Sequence, residues 1–192
     1  MPTFEYDMKY LQAGVDLLEK YLLAADLYWP LGVSAPHGET AYPPLTLGML
    51  LLSRRRAEAT AQSPAQQAEL ERLSARLETV RSQWRTAWGK KAAAEFRARL
   101  NLWGDFLSDY RRDPEAHYDR YAYEVGRRVL LKLLGSEAEG VPAAQTELLA
   151  SLDKLLKTIL VPGEFVWEPD LAARFPRTEY WYLYGKLSKS GI

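Results

Sequence analysis

The loop over residues 29–45 holds the one pair of side chains whose types suggest acid–base chemistry, His37 and Glu39. Histidine titrates near neutral pH and is a natural general base. The tripeptide His-Gly-Glu is also typical of an ordinary turn. One hypothesis is therefore an enzyme that uses this loop, and the alternative is a proline-stiffened crossover that Trp29 and Tyr42 hold against the helices.

A second group, His117, Tyr121 and Glu124, would share one face of a helix. Carboxylate-bridged di-iron bundles use Glu-x-x-His pairs on two helices, and the sequence contains no such pair. Cysteine, the Gly-x-Ser-x-Gly turn and a glycine-rich phosphate loop are also absent from it. We therefore predict a capping and solvated cluster at these residues, with no catalytic residue, metal site or cofactor site in the chain.

A basic stripe with two tryptophans beside it is the third feature with chemical meaning. Arginine neutralises phosphate and tryptophan can stack on bases, so nucleic-acid binding is an alternative function. Against it, several arginines are spaced for ion pairs within a helix, and both tryptophans fall on an apolar stripe. The stripe comprises Arg54–Arg56, Arg72, Arg76, Arg81, Arg85, Lys90 and Lys91 beside Trp84 and Trp88, and the helical pairs are Glu69/Arg72, Glu78/Arg81 and Glu95/Arg99.

Charge is balanced over the 192 residues but unevenly distributed along them. The formal net charge is +0, whereas residues 1–45 carry two basic and six acidic side chains (−4), residues 46–112 thirteen and seven (+6), and residues 113–192 ten and twelve (−2). This distribution is consistent with middle helices that lie against acidic neighbours, or with a basic face for an anionic partner.

The sequence contains no recognisable targeting or membrane segment. Its first ten residues do not combine a basic region with an apolar one, as a secretory signal would. The apolar runs are shorter than the ~20 residues that a membrane-spanning helix needs. We therefore expect a cytoplasmic protein with no membrane partner.

The longest periodic stretch runs from Ser63 to Tyr110, and the remaining elements must be organised around it. Ser63, Pro64 and Gln66 form a capping-box start, and apolar residues then recur every three or four positions. One helix of roughly 45 residues would be about 70 Å long, whereas a compact domain of this size is about 40 Å across. The helix must therefore break, with Gly89 the expected position, or project and be covered by another chain.

Four further helices and an aromatic tail account for the rest of the chain. Each predicted helix begins at a capping residue or a proline and ends near a proline or glycine. The tail is rich in Trp, Tyr and Phe, and it either covers one end of the helices or forms an interaction surface. The predicted helices are Thr3–Trp29, Thr46–Ala61, Asp113–Leu134 and Pro142 to about Leu160; within the tail, Phe165–Trp167 is expected to be extended, and Asp170–Phe175 and Thr178–Leu187 to be short helices.

The predicted fold is all-α: a single domain over residues 1–192, built as an up-and-down bundle of about five main helices on the long central helix, with an aromatic tail over residues 163–192. The favoured function is a non-enzymatic interaction or scaffold protein. The thin apolar seam from Leu70 to Trp88 would be covered by a protein partner or by a second copy of the chain. Nucleic-acid binding is the alternative, and an enzyme using the 29–45 loop comes third.

Overall fold

The computed structural model describes residues 3–190 and shows a mainly helical protein, with 69% helix. The mainly-α prediction is therefore confirmed. The helices of the described range are α1 (Phe4–Leu23), α2 (Leu47–Thr60), α3 (Pro64–Gln83), α4 (Arg85–Arg112), α5 (Pro114–His117), α6 (Tyr121–Gly135) and α7 (Ala143–Ile159). Two strands, β1 (Leu160–Phe165) and β2 (Tyr184–Leu187), pair antiparallel, and short 3-10 helices cover Tyr118–Arg120, Pro169–Arg174 and Trp181–Leu183.

Side-chain caps begin the first helices where the sequence predicts them. Thr3 and Thr46 each accept a hydrogen bond from the amide three residues on, at 3.2 Å. At the start of α3, Ser63 Oγ accepts from the amide of Gln66, whose side chain accepts from the amide of Ser63. Such caps satisfy amides that the first helical turn leaves without partners, and each contributes about 1 kcal/mol.

The predicted long helix is divided into α3 and α4 at Trp84, whose φ of −112° and ψ of 33° are not helical. Gly89, the expected break, lies inside α4. A Cβ atom at Gly89 would lie 2.5 Å from Cγ of Glu139, and the Glu139 amide donates to the Gly89 carbonyl at 3.2 Å. The glycine therefore permits close packing of the 136–140 loop against the helix rather than a bend.

The apolar seam of α3 is covered by this chain itself. Leu70, Leu73 and Leu77 are buried, because α3 packs against α1 and α2. Trp88 is also buried, and its indole N–H donates to Glu137 at 2.9 Å. The expectation that a second chain must cover the seam from Leu70 to Trp88 is therefore not met, since two neighbouring helices occupy that face.

α4 is the helix that contacts most of the others. It packs chiefly against α6 and also against α7, α2 and α1. Its buried face includes Phe96, Leu100, Trp103 and Leu107, which lie in one apolar core with residues of every other long helix. The apolar face of α4 is wide because a helix with several neighbours needs more than one apolar stripe.

Three segments differ from the predicted elements. The helix predicted from Thr3 to Trp29 ends at Leu23, and Trp29 instead forms a backbone bridge with Leu45. The helix predicted from Asp113 to Leu134 is divided into α5, a 3-10 turn and α6. After α7 the chain forms β1 directly, and the segment predicted as a short helix up to Leu187 instead contains β2. Gly185 permits this pairing: its φ is +159°, and a Cβ atom there would lie 2.5 Å from the Val161 carbonyl oxygen.

The aromatic tail lies against the helices through specific hydrogen bonds. Tyr121 of α6 donates to the Tyr182 carbonyl at 2.6 Å, and Tyr110 of α4 donates to the Ser188 carbonyl at 2.9 Å. Phe175, Tyr180 and Tyr182 are buried. Among the described residues, no helix is both long and apolar enough to span a membrane.

Candidate functional site

In the 29–45 loop, the described hydrogen bonds do not join His37 to Glu39. His37 is exposed, and the Glu39 carboxylate accepts a hydrogen bond from the Thr3 amide at 3.2 Å. The loop is held by two backbone hydrogen bonds between Trp29 and Leu45, at 3.1 and 2.7 Å. These contacts describe a pinned crossover, which is the alternative that the sequence leaves open.

The prediction of a solvated cluster at His117, Tyr121 and Glu124 is wrong for two of the three residues, because Tyr121 and Glu124 are buried where α6 packs against its neighbours. Arg120 contacts both His117 and Glu124. Arg120 contacts His117 Nδ1 at 3.3 Å, while the Tyr121 hydroxyl is buried against the tail. The Glu124 carboxylate forms ion pairs with Arg120 and Arg127. Over residues 3–190, no three His, Cys, Asp or Glu side chains are grouped to hold a metal ion.

The basic stripe does not form one open cationic face, because carboxylates neutralise most of it. Two of the three helical pairs expected from spacing are formed, Glu78/Arg81 and Glu95/Arg99; the described ion pairs do not include Glu69/Arg72. Lys91 is buried, where desolvation lowers its pKa, and its ammonium donates to two backbone carbonyls. Other pairs join Arg54 to Glu58 and Glu78, Arg56 to Asp7, Arg76 to Asp16, and Arg81 to Glu137.

The structure instead contains an apolar cleft of about 680 Å³, hereafter the α2–α4–α6 cleft. Its walls come from those three helices, from residues 40–43 of the long loop and from residues 166–171 after β1. Met49, Leu52 and Leu130 form part of the apolar wall, and the Trp167 ring closes one side with its indole N–H donated to the Ala122 carbonyl at 3.0 Å. A cleft of this volume and lining is typical of small-molecule sites.

Two large apolar side chains stand at the cleft while remaining open to solvent. Leu102 of α4 is 37% exposed and Tyr123 of α6 is 80% exposed. A tyrosine so exposed contributes little to the core, because most of its ring remains in water. Both side chains are therefore available to a bound molecule.

Three guanidinium groups also line the cleft, and a buried carboxylate holds each of them. Arg99 donates through Nε and Nη2 to Glu95 Oε1, at 3.2 and 3.1 Å. Glu95 is fully buried and also accepts from the Gly48 amide at 2.8 Å, in the first turn of α2. The helix dipole and this amide stabilise the carboxylate, which in turn fixes the direction of the Arg99 guanidinium.

Arg127 is fixed in the same way by α6 and α4. Its guanidinium pairs with the buried Glu124 carboxylate and donates to the Leu102 carbonyl at 3.2 Å. Arg120 shares the same carboxylate, with an N···O distance of 2.6 Å. Two guanidinium groups therefore share one negative charge, and the local balance at Arg127 remains positive.

The third guanidinium, Arg56, forms an ion pair with Asp7 of α1 in which both its Nε and Nη2 donate. Burial raises the pKa of Asp7, and the guanidinium offsets part of that rise. Burial also raises the pKa of Tyr6, which contributes a phenol to the same wall. Here one carboxylate neutralises one guanidinium, so Arg56 contributes less positive charge to the cleft than Arg127 does.

The sequence alone did not identify this cleft. The Glu95/Arg99 pair was visible as an i, i+4 spacing, which says nothing about the space in front of the guanidinium. Arg127 and Trp167 carried no local signal, because the cleft depends on how three helices and a loop converge.

A comparison with known families, characterised proteins and solved structures finds no match.

Proposed function

We propose that this is a non-enzymatic helical binding protein that takes an apolar ligand in the α2–α4–α6 cleft. The observation that supports the proposal is the cleft itself: about 680 Å³, with apolar walls and a few fixed polar groups. Ligand sites of small molecules are of this kind, with volumes of roughly 300–1,000 Å³.

The polar groups of the cleft favour binding over acid–base catalysis. Arginine stays protonated at all accessible pH values, so the three guanidinium groups cannot transfer protons near neutrality. The other polar lining groups are Glu168, the Thr40 hydroxyl and the phenols of Tyr6 and Tyr123. Neither His37 nor His117 lines the cleft. A role in holding a ligand therefore accounts for these side chains better than a role in chemistry.

Titration with Nile red, a neutral dye that fluoresces in apolar surroundings, tests the proposal. The wild-type chain should bind the dye saturably, and Ala122→Trp should weaken binding about tenfold, because a large side chain would fill the cleft at an exposed helix position. Ala150→Trp, at an exposed position on α7, is the matched control and should bind as the wild type does. Equal binding by all three chains would contradict the proposal.

Self-association, or a protein partner, is the second candidate, and the exposed apolar side chains favour it. Leu148 on α7 is 45% exposed, in addition to Leu102 and Tyr123. Light scattering should then report a dimer at high micromolar concentration, and Leu148→Glu should shift it toward monomer. A monomer in both chains would remove this candidate.

Nucleic-acid binding is less favoured because the arginines of the basic stripe are largely paired, and a salt-dependent anisotropy signal with oligonucleotides would restore it.

We also propose a finer architecture for the helical fold: an up-and-down bundle in a single domain, organised on a central rod made of α3 and α4 and bent at Trp84. The backbone hydrogen bonds Trp84 to Val80 and Trp88 to Trp84, both 2.9 Å, support a rod that continues through the break. Residues 163–192 would cover the bundle as part of the same domain. A single cooperative unfolding transition, detected equally by far-ultraviolet and tryptophan signals, is the expected result.

A further inference from the structure

We infer that the ligand of the α2–α4–α6 cleft is an amphiphilic carboxylate, with its anionic group at Arg99 and Arg127 and its apolar body against Met49, Leu52 and Leu130. This inference rests on the binding function proposed above and adds the chemical class of the ligand. It depends on hydrogen-bond donors that the described residues leave without acceptors, on the position of the carboxylates behind them, and on the apolar walls.

The first step concerns the donors. A guanidinium has five N–H groups. Arg99 uses Nε and Nη2 on Glu95, so within residues 3–190 its Nη1 has no acceptor. Arg127 Nη1 donates to the Leu102 carbonyl and forms the ion pair with Glu124, and within the same range its Nε and Nη2 have no acceptor. Both residues line the cleft, and we infer that these donors reach a bound anion.

The second step concerns proximity. Arg127 reaches from α6 to the carbonyl of Leu102, and Leu102 follows Arg99 by three residues on α4. Residues three apart lie on the same side of a helix, about one turn from each other. Both guanidinium groups therefore belong to the part of the wall formed by α4 and α6, and we infer that an anionic group bound there is attracted by both of them.

The third step concerns the charges that face this wall. Glu95 and Glu124, which hold the two arginines, are fully buried and do not line the cleft. Glu124 is shared with Arg120, and Glu95 lies at the positive end of the α2 dipole, so neither cancels the charge in front of it fully. Among the lining residues that the structure describes, Glu168 in the segment after β1 is the one with a carboxylate. An anionic head beside the arginines is complementary to this distribution, and a cationic head is not.

Displacement of bound Nile red by three ten-carbon amphiphiles tests the inference. The probes are decanoate, decanol and decyltrimethylammonium, each used below the concentration at which it forms micelles. In the wild-type chain, decanoate should displace the dye at a concentration about tenfold lower than decanol, because charge-assisted hydrogen bonds add to the same apolar contact. Decyltrimethylammonium should be the weakest competitor.

Arg127→Gln should abolish the preference of decanoate over decanol, with both competitors compared against the dye affinity measured for the variant itself. Glu124 keeps Arg120 as its partner in this variant, so the fold is expected to persist. Arg99→Lys keeps a cation beside Glu95 but loses the planar fork, and it should reduce the preference about threefold to tenfold. Glu168→Gln, which removes the opposing charge, should not weaken decanoate.

The outcomes separate the two proposals. If Nile red does not bind the wild-type chain, the binding function itself is wrong. If the dye binds but decanol competes as well as decanoate, the cleft binds apolar molecules and the carboxylate inference is wrong. A preference for decanoate that survives both Arg127→Gln and Arg99→Lys would also overturn it, since other groups would then recognise the anion.

Discussion

Arg128 shows how strongly a single side chain in this protein depends on its neighbours. It is buried between α6, α7 and the tail, donates from Nε and Nη2 to the Asp153 carboxylate at 2.7 Å each, and lies 4.6 Å from the centre of the Tyr182 ring. Its Nη1 atom is buried and has no acceptor among residues 3–190. A buried charge of this kind is tolerated only while its partner remains.

Asp153→Ala should therefore destabilise the protein by about 3 kcal/mol in urea unfolding, because it leaves the Arg128 guanidinium buried and unpaired. The double variant Arg128→Met/Asp153→Leu should lose less, since no unpaired charge remains. Asp109→Ala, which breaks the exposed pair with Arg112, is the control and should cost less than about 1 kcal/mol. Equal losses in the free energy of unfolding for Asp153→Ala and Asp109→Ala would show that burial does not make the Arg128–Asp153 pair more important than an exposed pair.

At the scale of elements, α4 contains two glycines that carry out different roles. Gly89 faces the 136–140 loop, where a Cβ atom would lie 2.5 Å from Cγ and 3.0 Å from Cβ of Glu139. Gly104 faces α7, where a Cβ atom would meet only Leu152 Cδ1, at 3.7 Å. Close packing therefore requires Gly89. Gly104 lowers the helix propensity of α4 at a position that has room for a methyl group.

Gly104→Ala should stabilise the protein by about 0.5–1 kcal/mol, because alanine is the better helix former and meets no close contact. Gly89→Ala has the same helical advantage but should be net destabilising, since the loop at Glu139 must move away from α4. Thermal unfolding of the two variants gives the comparison. A gain of stability from Gly89→Ala would show that the loop yields without cost.

At the scale of the whole molecule, buried tyrosines link the helices, the loop and the tail. Four of them lie on α1, on α6 and in the tail, and desolvation raises the pKa of each above its ordinary value near 10. Several of their hydroxyls donate to backbone carbonyls, which requires the protonated phenol. The residues are Tyr10, Tyr21, Tyr121 and Tyr182.

These raised pKa values predict loss of stability at alkaline pH. Above the ordinary pKa the unfolded chain releases phenolic protons that the folded chain retains, so the free energy of unfolding falls as pH rises above about 10, by up to about 1.4 kcal/mol per pH unit for each tyrosine. The ultraviolet absorbance of tyrosinate should increase together with unfolding. Complete ionisation of all tyrosines in a chain that is still folded would contradict this prediction.

Local patterns in the sequence determined the helix starts and the apolar faces. Thr46, Ser63 and Asp113 act as caps because a side-chain oxygen three residues before an amide is a purely local arrangement. Periodicity likewise predicted the buried leucines of α3, since one face of a helix follows from residue spacing alone. These features need no knowledge of any other element.

Only the tertiary structure decided where those faces meet. The break at Trp84, the packing around Gly89 and the covering of α3 by α1 and α2 depend on residues far apart in the sequence. The α2–α4–α6 cleft is of the same kind, because its lining residues come from six separate segments, including Tyr6 of α1. Spacing along a helix fixes the direction in which a side chain points. Whether that direction leads into a core or into an open cleft depends on how the other elements pack around the helix.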